Sequence, residues 1–264
     1  MTHPAAPATL EQALALLAER DQALAQLRQS QEEFLRAVSH DLRAPLRHIT
    51  SYGSLVREVL DDAGLQGEAA DEARQFLGTM DQSARRMARM LDGLLAIARA
   101  ARAPLNLQAV DLAALVAQAK VQVDAGPAAG PIPRQIEWAL PMAPCVVTTD
   151  AALMQQLLIA VLDNAVKFTR PQPLARISII AVPASEGAWS MTVQDNGTGF
   201  DPAQAGGLGG VFQRLHRENE FEGVGAGLAL VQTIAHRLGL QWQICAQPGA
   251  GCTVTVDGAA ATRG

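Results

Sequence analysis

The sequence predicts two architectures in series: a long helical hairpin, which two copies would complete as a dimeric four-helix bundle, followed by a two-layer α/β sandwich. Three observations carry this. Apolar residues recur at spacings of three and four from Leu10 to Ile97, interrupted by a glycine-bearing turn. At Ala103-Pro104 the pattern changes to short alternating strands separated by three helical stretches. Alanine and leucine supply most of the apolar content in a chain that is 49% hydrophobic but only 4% aromatic, which favours helices.

The elements follow in order. Leu10, Leu17, Leu24, Gln31 and Val38 lie seven apart, with Ala13, Arg20, Leu27 and Phe34 between them. This is a coiled-coil register with polar interruptions, running unbroken into the helix that carries His40. Residues 61–67, with Gly64 and Gly67, end that helix, and a second runs from about 68 to 101. Its apolar side carries Phe76, Leu77, Met80, Met87, Met90, Leu91, Leu94, Leu95 and Ile97. Such a hairpin has too little core to stand alone, so a homodimer is expected. Beyond Pro104, strands are expected over 105–110, 135–140, 145–148, 177–182, 189–194, 241–246 and 253–256. Asp111 and Asp150 cap helices through about 120 and 168, and a third helix spans about 225–238. Residues 126–133 and 195–223 read as loop. The segments expected are an N-terminal coiled-coil helix over 1–33, a helical hairpin over 34–103, an α/β sandwich over 104–258 and a tail over 259–264.

Composition excludes several classes. A formal net charge of −5 leaves no electrostatic footprint for nucleic acid. The tight basic cluster Arg85, Arg86 and Arg89 reads as a solvated helix face. Cys145, Cys245 and Cys252 are odd in number and fit no zinc spacing, so reduced thiols in a cytoplasmic protein are expected. No apolar run approaches the roughly 20 residues of a membrane span, and no signal peptide opens the chain.

Chemistry concentrates in two places. His40 and Asp41 fall beside the apolar stripe of Phe34, Leu35, Val38, Leu42, Leu46 and Ile49, and so face solvent. A carboxylate next to an imidazole can hold one tautomer and leave the other nitrogen free to attack an electrophile. The second place is a set of candidate phosphate-binding residues. A P-loop is excluded, because the only lysines, Lys120 and Lys167, do not follow glycine. Asn164 and Lys167 lie three apart near a helix end, so an amide oxygen for Mg²⁺ and an ammonium for phosphate share one side. In Asp195-Asn196-Gly197-Thr198-Gly199, at a strand end, a buried carboxylate can accept from an exocyclic amine while glycines let a base approach. Gly223, Gly225 and Gly227 open a helix whose amides suit phosphate.

In combination these pieces resemble a known family. Ser39-His40-Asp41-Leu42-Arg43-Ala44-Pro45-Leu46 is similar to the phosphoacceptor box of sensor histidine kinases. The 163–168, 195–199 and 223–227 segments resemble the N, G1 and G2 boxes of the Bergerat (GHKL) ATP-binding fold. Val211-Phe212-Gln213-Arg214-Leu215-His216-Arg217 looks like an F box, and its wording is similar to the phytochrome-like branch. The resemblance implies an ATP:protein-histidine phosphotransferase with ATP and Mg²⁺ as cofactors. Asp195 would read adenine, Asn164 would hold Mg²⁺, and Lys167 and Arg214 would touch phosphates. It also implies transfer from His40 to an aspartate of a response-regulator receiver domain, with input from a separate sensor protein or a sensor domain outside this chain. Gly206-Gly207-Leu208-Gly209-Gly210 would be a flexible lid.

Two departures stand out. Ala160 occupies the place where the family usually has an asparagine, which puts Mg²⁺ affinity or rate in doubt and leaves a phosphotransfer or scaffold protein as the alternative. Gyrase-type ATPases place a catalytic glutamate there and lack a His40 box, so that reading is set aside. Ala44 stands where the family carries a threonine or asparagine that orients water, so weak phosphatase activity is expected.

Overall fold

The computed structural model describes residues 9–126, 134–184, 187–203, 208–215 and 220–259. Part of the 126–133 loop, glycines 206–207 of the expected lid, His216 and Arg217 of the F-box segment, and most of the 259–264 tail lie outside these residues. Contacts divide the chain into two compact units, Met1–Ala88 and Arg89–Gly264.

The first unit is built on α1 (Leu10–Asp62) and the first part of α2 (Glu68–Ala100). Helix α1 is a continuous 53-residue helix that passes through Pro45. Proline has no N–H, so the Asp41 carbonyl one turn earlier loses its helical donor beside the His40–Asp41 pair. The hairpin turn uses Gly64 at φ 63° and Gly67 at φ 103°. Arg74 fastens it, donating from Nε to Asp61 at 2.9 Å and from Nη2 to the Leu65 carbonyl at 3.0 Å. Ser39, Leu46 and Gly53, seven apart on α1, are buried, as are Ala70 and Ala84 on α2. The expected apolar stripe is not covered within the single chain. Leu10, Leu17, Leu24, Leu27, Phe34, Leu42 and Ile49 are all exposed. One hairpin has only one neighbour for each helix, whereas the stripe spans faces that need a second.

The second unit holds the α/β sandwich. Strands β2 (Ile136–Ala139), β4 (Ala175–Pro183), β5 (Trp189–Asp195), β7 (Gly251–Gly258) and β6 (Gln241–Gln247) lie side by side in that order. The β2–β4 pair is parallel and the rest are antiparallel. A separate antiparallel pair joins β1 (Leu107–Asp111) to β3 (Val146–Asp150). Helices α3 (Leu112–Asp124), α4 (Ala151–Phe168) and α5 (Gly227–Leu238) cover one sheet face. Leu112, Val116, Leu157, Leu158, Leu162, Ile177, Ile179, Met191, Val231, Ile234 and Val256 form the centre of that core, and Ala100 from the end of α2 joins it. Alternation along β4 leaves Ile180 and Val182 exposed on the opposite face.

Helix α4 is long and apolar enough by composition to cross a membrane. Here it is the central core helix, with Leu153, Met154, Leu157, Leu158, Leu162 and Val166 among its buried residues. Helix α3 runs four residues past the expected end, helped by a Lys120–Asp124 ion pair one turn apart at 2.5 Å. Helix α5 starts two residues later than expected, because Gly225 is left-handed at φ 76° and cannot continue a helix.

Both expected aspartate caps are present. The Asp111 carboxylate accepts from the N–H groups of Ala113 (3.1 Å) and Cys145 (3.0 Å). That of Asp150 accepts from Leu153 (3.0 Å) and Asn106 (2.8 Å) and thereby ties α4 to the chain entering β1. Burial pushes the Asp150 carboxyl up, but backbone donors from Leu153, Asn106 and Ala152 outweigh it and hold the pKa below the ordinary value. A depressed carboxylate stabilises the fold above its unfolded pKa, and this contribution is lost as pH falls through the folded value. Asp150→Ala removes the cap and strands two donors, which lowers stability by about 2 kcal/mol. Urea unfolding should show this as a lower midpoint at pH 7, with the gap to wild type narrowing in acid.

Candidate ATP site and phosphoacceptor

His40 and Asp41 sit on the exposed side of α1 in the first unit. His40 Nδ1 lies 3.1 Å from Asp41 Oδ1, with the two side chains 86% and 79% exposed. The carboxylate therefore engages Nδ1 and leaves Nε2 directed away from it, in open solvent.

In the second unit, one cavity of about 250 Å³ gathers Asn164, Lys167, Asp195, Gly199, Arg214, Gly223, Gly225 and Gly227, with Ala160 also in its wall. Gly197 lies just behind, at the strand end. At the adenine end expected from the resemblance, Asp195 closes β5 and is only 8% exposed. Its Oδ1 accepts from the N–H groups of Gly197 (2.8 Å) and Cys252 (3.2 Å). Oδ2 remains the oxygen able to accept from a bound base. Burial pushes the Asp195 carboxyl up to about 6 despite these two donors. Gly199 is left-handed at φ 59°, and a Cβ there would stand 1.9 Å from the Gln247 carbonyl. The glycine lets this loop lie against the end of β6, where Thr198 accepts from the Gly249 N–H at 2.7 Å.

The other end is cationic. Lys167 donates from Nζ to Asn164 Oδ1 at 2.9 Å and lies 4.3 Å from the centre of the Phe168 ring. Burial, eased by Asp163 but reinforced by Arg214 and Arg170, pulls the Lys167 ammonium down to about 8. The N-cap of α5 is Ala226, which has no side chain to cap the helix, unlike the aspartates of α3 and α4, so the first amides are left for a ligand. The loop before it is tightly built. Gly225 has no room for a Cβ, which would meet the Gln213 carbonyl at 2.5 Å. The Phe212 N–H donates to the Gly225 carbonyl at 3.1 Å, and Phe212 itself sits at φ 64°, rare for a bulky residue.

Arg214, expected at the phosphates, donates from Nη1 to the Gly223 carbonyl and from Nη2 to the Phe221 carbonyl (2.6 Å). It is thus also a clasp on the glycine loop. Sequence reasoning missed several participants. Phe221 packs edge-on against Phe168 with centroids 5.0 Å apart, the Glu222 carboxylate pairs with Arg170 at 2.6 Å, and the Cys252 amide holds Asp195. None carries a motif signature, since each depends on strands or loops brought together from distant positions.

A flattened sandwich, a strand-end aspartate and an uncapped glycine-led helix surround one cavity, an arrangement able to take a nucleotide. Residues 149–258 match the family described as histidine kinase-, DNA gyrase B- and HSP90-like ATPase, and residues 30–102 match the His Kinase A (phospho-acceptor) domain. The phytochrome-like protein Cph1 of Synechocystis is 31% identical over 231 residues, which are 84% of this chain and 28% of that protein. The phosphate regulon sensor protein PhoR of Pseudomonas aeruginosa is 31% identical over 235 residues, 87% of this chain and 50% of that protein. A crystal structure of full-length ShkA in complex with AMPPNP shares the fold, with a TM-score of 0.57 and 24% identity over 87% of this chain and 47% of that one. The chain spans about a quarter to a half of the length of these curated relatives. It belongs to the sensor histidine kinases of two-component systems, with a phosphoacceptor hairpin followed by an ATPase domain.

Proposed function

We propose that the chain binds Mg²⁺-ATP in the cavity and transfers the γ-phosphoryl group to Nε2 of His40. The observation that carries this is the engagement of His40 Nδ1 by Asp41 at 3.1 Å with Nε2 left open. In the reaction the Nε2 lone pair forms the P–N bond, the bond from the γ-phosphorus to the bridging oxygen breaks, and ADP leaves. The Nδ1 proton passes to Asp41. Lys167, Arg214 and the first amides of α5 would offset charge on the phosphates, while Asp195 Oδ2 accepts from the adenine amine.

The donor set suits Mg²⁺. Among the described residues no group of three His, Cys, Asp or Glu forms a protein cage. An ion that keeps waters and phosphate oxygens needs only one or two protein ligands, and the Asn164 amide oxygen, which accepts from Lys167 at 2.9 Å through one lone pair, would be one through its other. Bound there, Mg²⁺ would neutralise phosphate charge. Ala160, one turn earlier in the same wall, offers no second polar atom, which supports a lowered metal affinity or rate.

The hairpin of 34–103 is proposed as the dimerisation and phosphotransfer domain, 104–258 as the catalytic domain and 1–33 as the signal helix. The exposed leucine stripe of α1 supports a homodimer joined through a coiled coil. Phosphohistidine would then serve a receiver-domain aspartate in the cytoplasm, and Ala44 supports weak phosphatase activity toward it.

The test is incubation of the chain with γ-labelled ATP and Mg²⁺. Acid-labile, alkali-stable label on the protein is expected. A folded chain that takes up no label would overturn the kinase reading and leave Ala160 as the mark of a phosphotransfer partner.

A further inference from the structure

Three carboxylates line the cavity among the described residues: Asp163, Asp195 and Glu222. Asp195 serves the base, and Asp163 lies half-buried on α4 one turn from Lys167. Glu222 has no part in the reaction proposed above, yet it occupies the cationic end. It immediately precedes Gly223, where an added Cβ would stand 3.5 Å from Lys167 Nζ. Its carboxylate pairs with Arg170 at 2.6 Å, just beyond the end of α4, and is half exposed. Its neighbours in the chain are pinned as well. Arg214 holds the carbonyls on either side, at Phe221 and Gly223, and the Phe221 ring rests on Phe168. The negative charge is therefore held in the cavity wall at the end where Lys167 and Arg214 lie.

Resting on the ATP reading of this cavity, we propose that Glu222 is an affinity-setting residue: its fixed carboxylate, partly neutralised by Arg170, opposes the nucleotide's phosphates and weakens ATP binding. Like charges facing one cavity repel, the more so where its walls shield them from water. Arg170 limits the effect by holding the carboxylate toward itself. Without Arg170, Glu222 would be free to turn to Lys167 and compete directly with phosphate for that ammonium. The pair thus sets how readily ATP loads without touching the base.

The experiment measures affinity for Mg²⁺-ATP and for adenosine by calorimetry on the whole chain. Glu222→Gln keeps the shape and a hydrogen-bonding oxygen for Arg170 and removes the charge. It should tighten ATP by about fivefold at low salt, shrink toward no effect at 0.5 M salt, and leave adenosine unchanged. Arg170→Gln should weaken ATP by a similar factor, and the double variant should return near wild type. Weaker or unchanged ATP binding in Glu222→Gln, with wild type binding normally, would overturn the inference, and a loss seen only with Mg²⁺ present would mark Glu222 as a metal ligand instead. Failure of the wild-type chain to bind ATP would instead overturn the ATP reading itself.

Discussion

His40→Ala abolishes acid-labile phosphate incorporation while ATP affinity stays within about twofold of wild type. The reason is that the two chemistries sit on separate compact units. His40 is an exposed side chain of α1, and its polar partner, Asp41, is the adjacent residue. Alanine is a better helix former than histidine, so the helix is retained. What disappears is the only nucleophile in the proposed reaction, and no neighbouring group replaces it. Asp41→Asn separates the two roles of the pair. The amide can still contact the imidazole but cannot take up its proton, so the rate should fall by about 10²-fold or more with the site of labelling unchanged. Label persisting in His40→Ala, measured on gels after mild acid, would place the phosphoacceptor elsewhere.

Asp195→Asn should weaken ATP by about 30- to 100-fold, the worth of a buried hydrogen bond to a charged acceptor. Asn has one acceptor oxygen. If that oxygen keeps the Gly197 and Cys252 amides, its NH₂ faces the donor amine of the base; if it turns to the base, two buried donors are stranded. The variant should nonetheless fold. A carboxyl raised to about 6 keeps its proton longer in the folded chain than in the unfolded one. Its stabilising contribution is complete below the unfolded pKa and is lost as pH rises through about 6, so at pH 7.5 the buried charge is a cost. The nucleotide-free variant should therefore melt no lower than wild type at that pH.

The same two pKa values give ATP binding a pH window. Below about 6 Asp195 protonates and accepts less well; above about 8 Lys167 loses the charge that meets phosphate. Affinity should fall on both sides. The terminal phosphate also titrates near 6, so the acid limb is read as the difference between wild type and Asp195→Asn. Equal acid limbs in the two proteins would show that Asp195 does not reach the base.

Local patterns carried much of this protein. Periodicity of 3.6 against 2 separates hairpin from sandwich, because each element must present an apolar face at its own repeat. The His40–Asp41 pair, the caps Asp111 and Asp150, and the Asn164–Lys167 spacing are legible for the same reason: each acts within one turn of its own backbone. The strand-end Asp195 and its glycines were legible because close backbone approach leaves glycine as the only residue that fits.

Tertiary structure decided what depends on distant partners. The sheet order β2-β4-β5-β7-β6 cannot be read from alternation, which is the same for every pairing. The Asp195 value of about 6 comes from burial at the strand end, which needs remote segments to exclude water and acts against the Gly197 and Cys252 amides. Arg214 was expected at phosphate, yet its carbonyl partners become visible only when residues 221–223 fold back onto it. Glu222 is an unremarkable acid in the sequence and joins the cavity wall because Arg214 clasps the carbonyls on either side of it, while Arg170, 52 residues away, draws its carboxylate toward itself. Short-range geometry is encoded residue by residue, whereas desolvation and charge placement arise only once remote segments exclude water together.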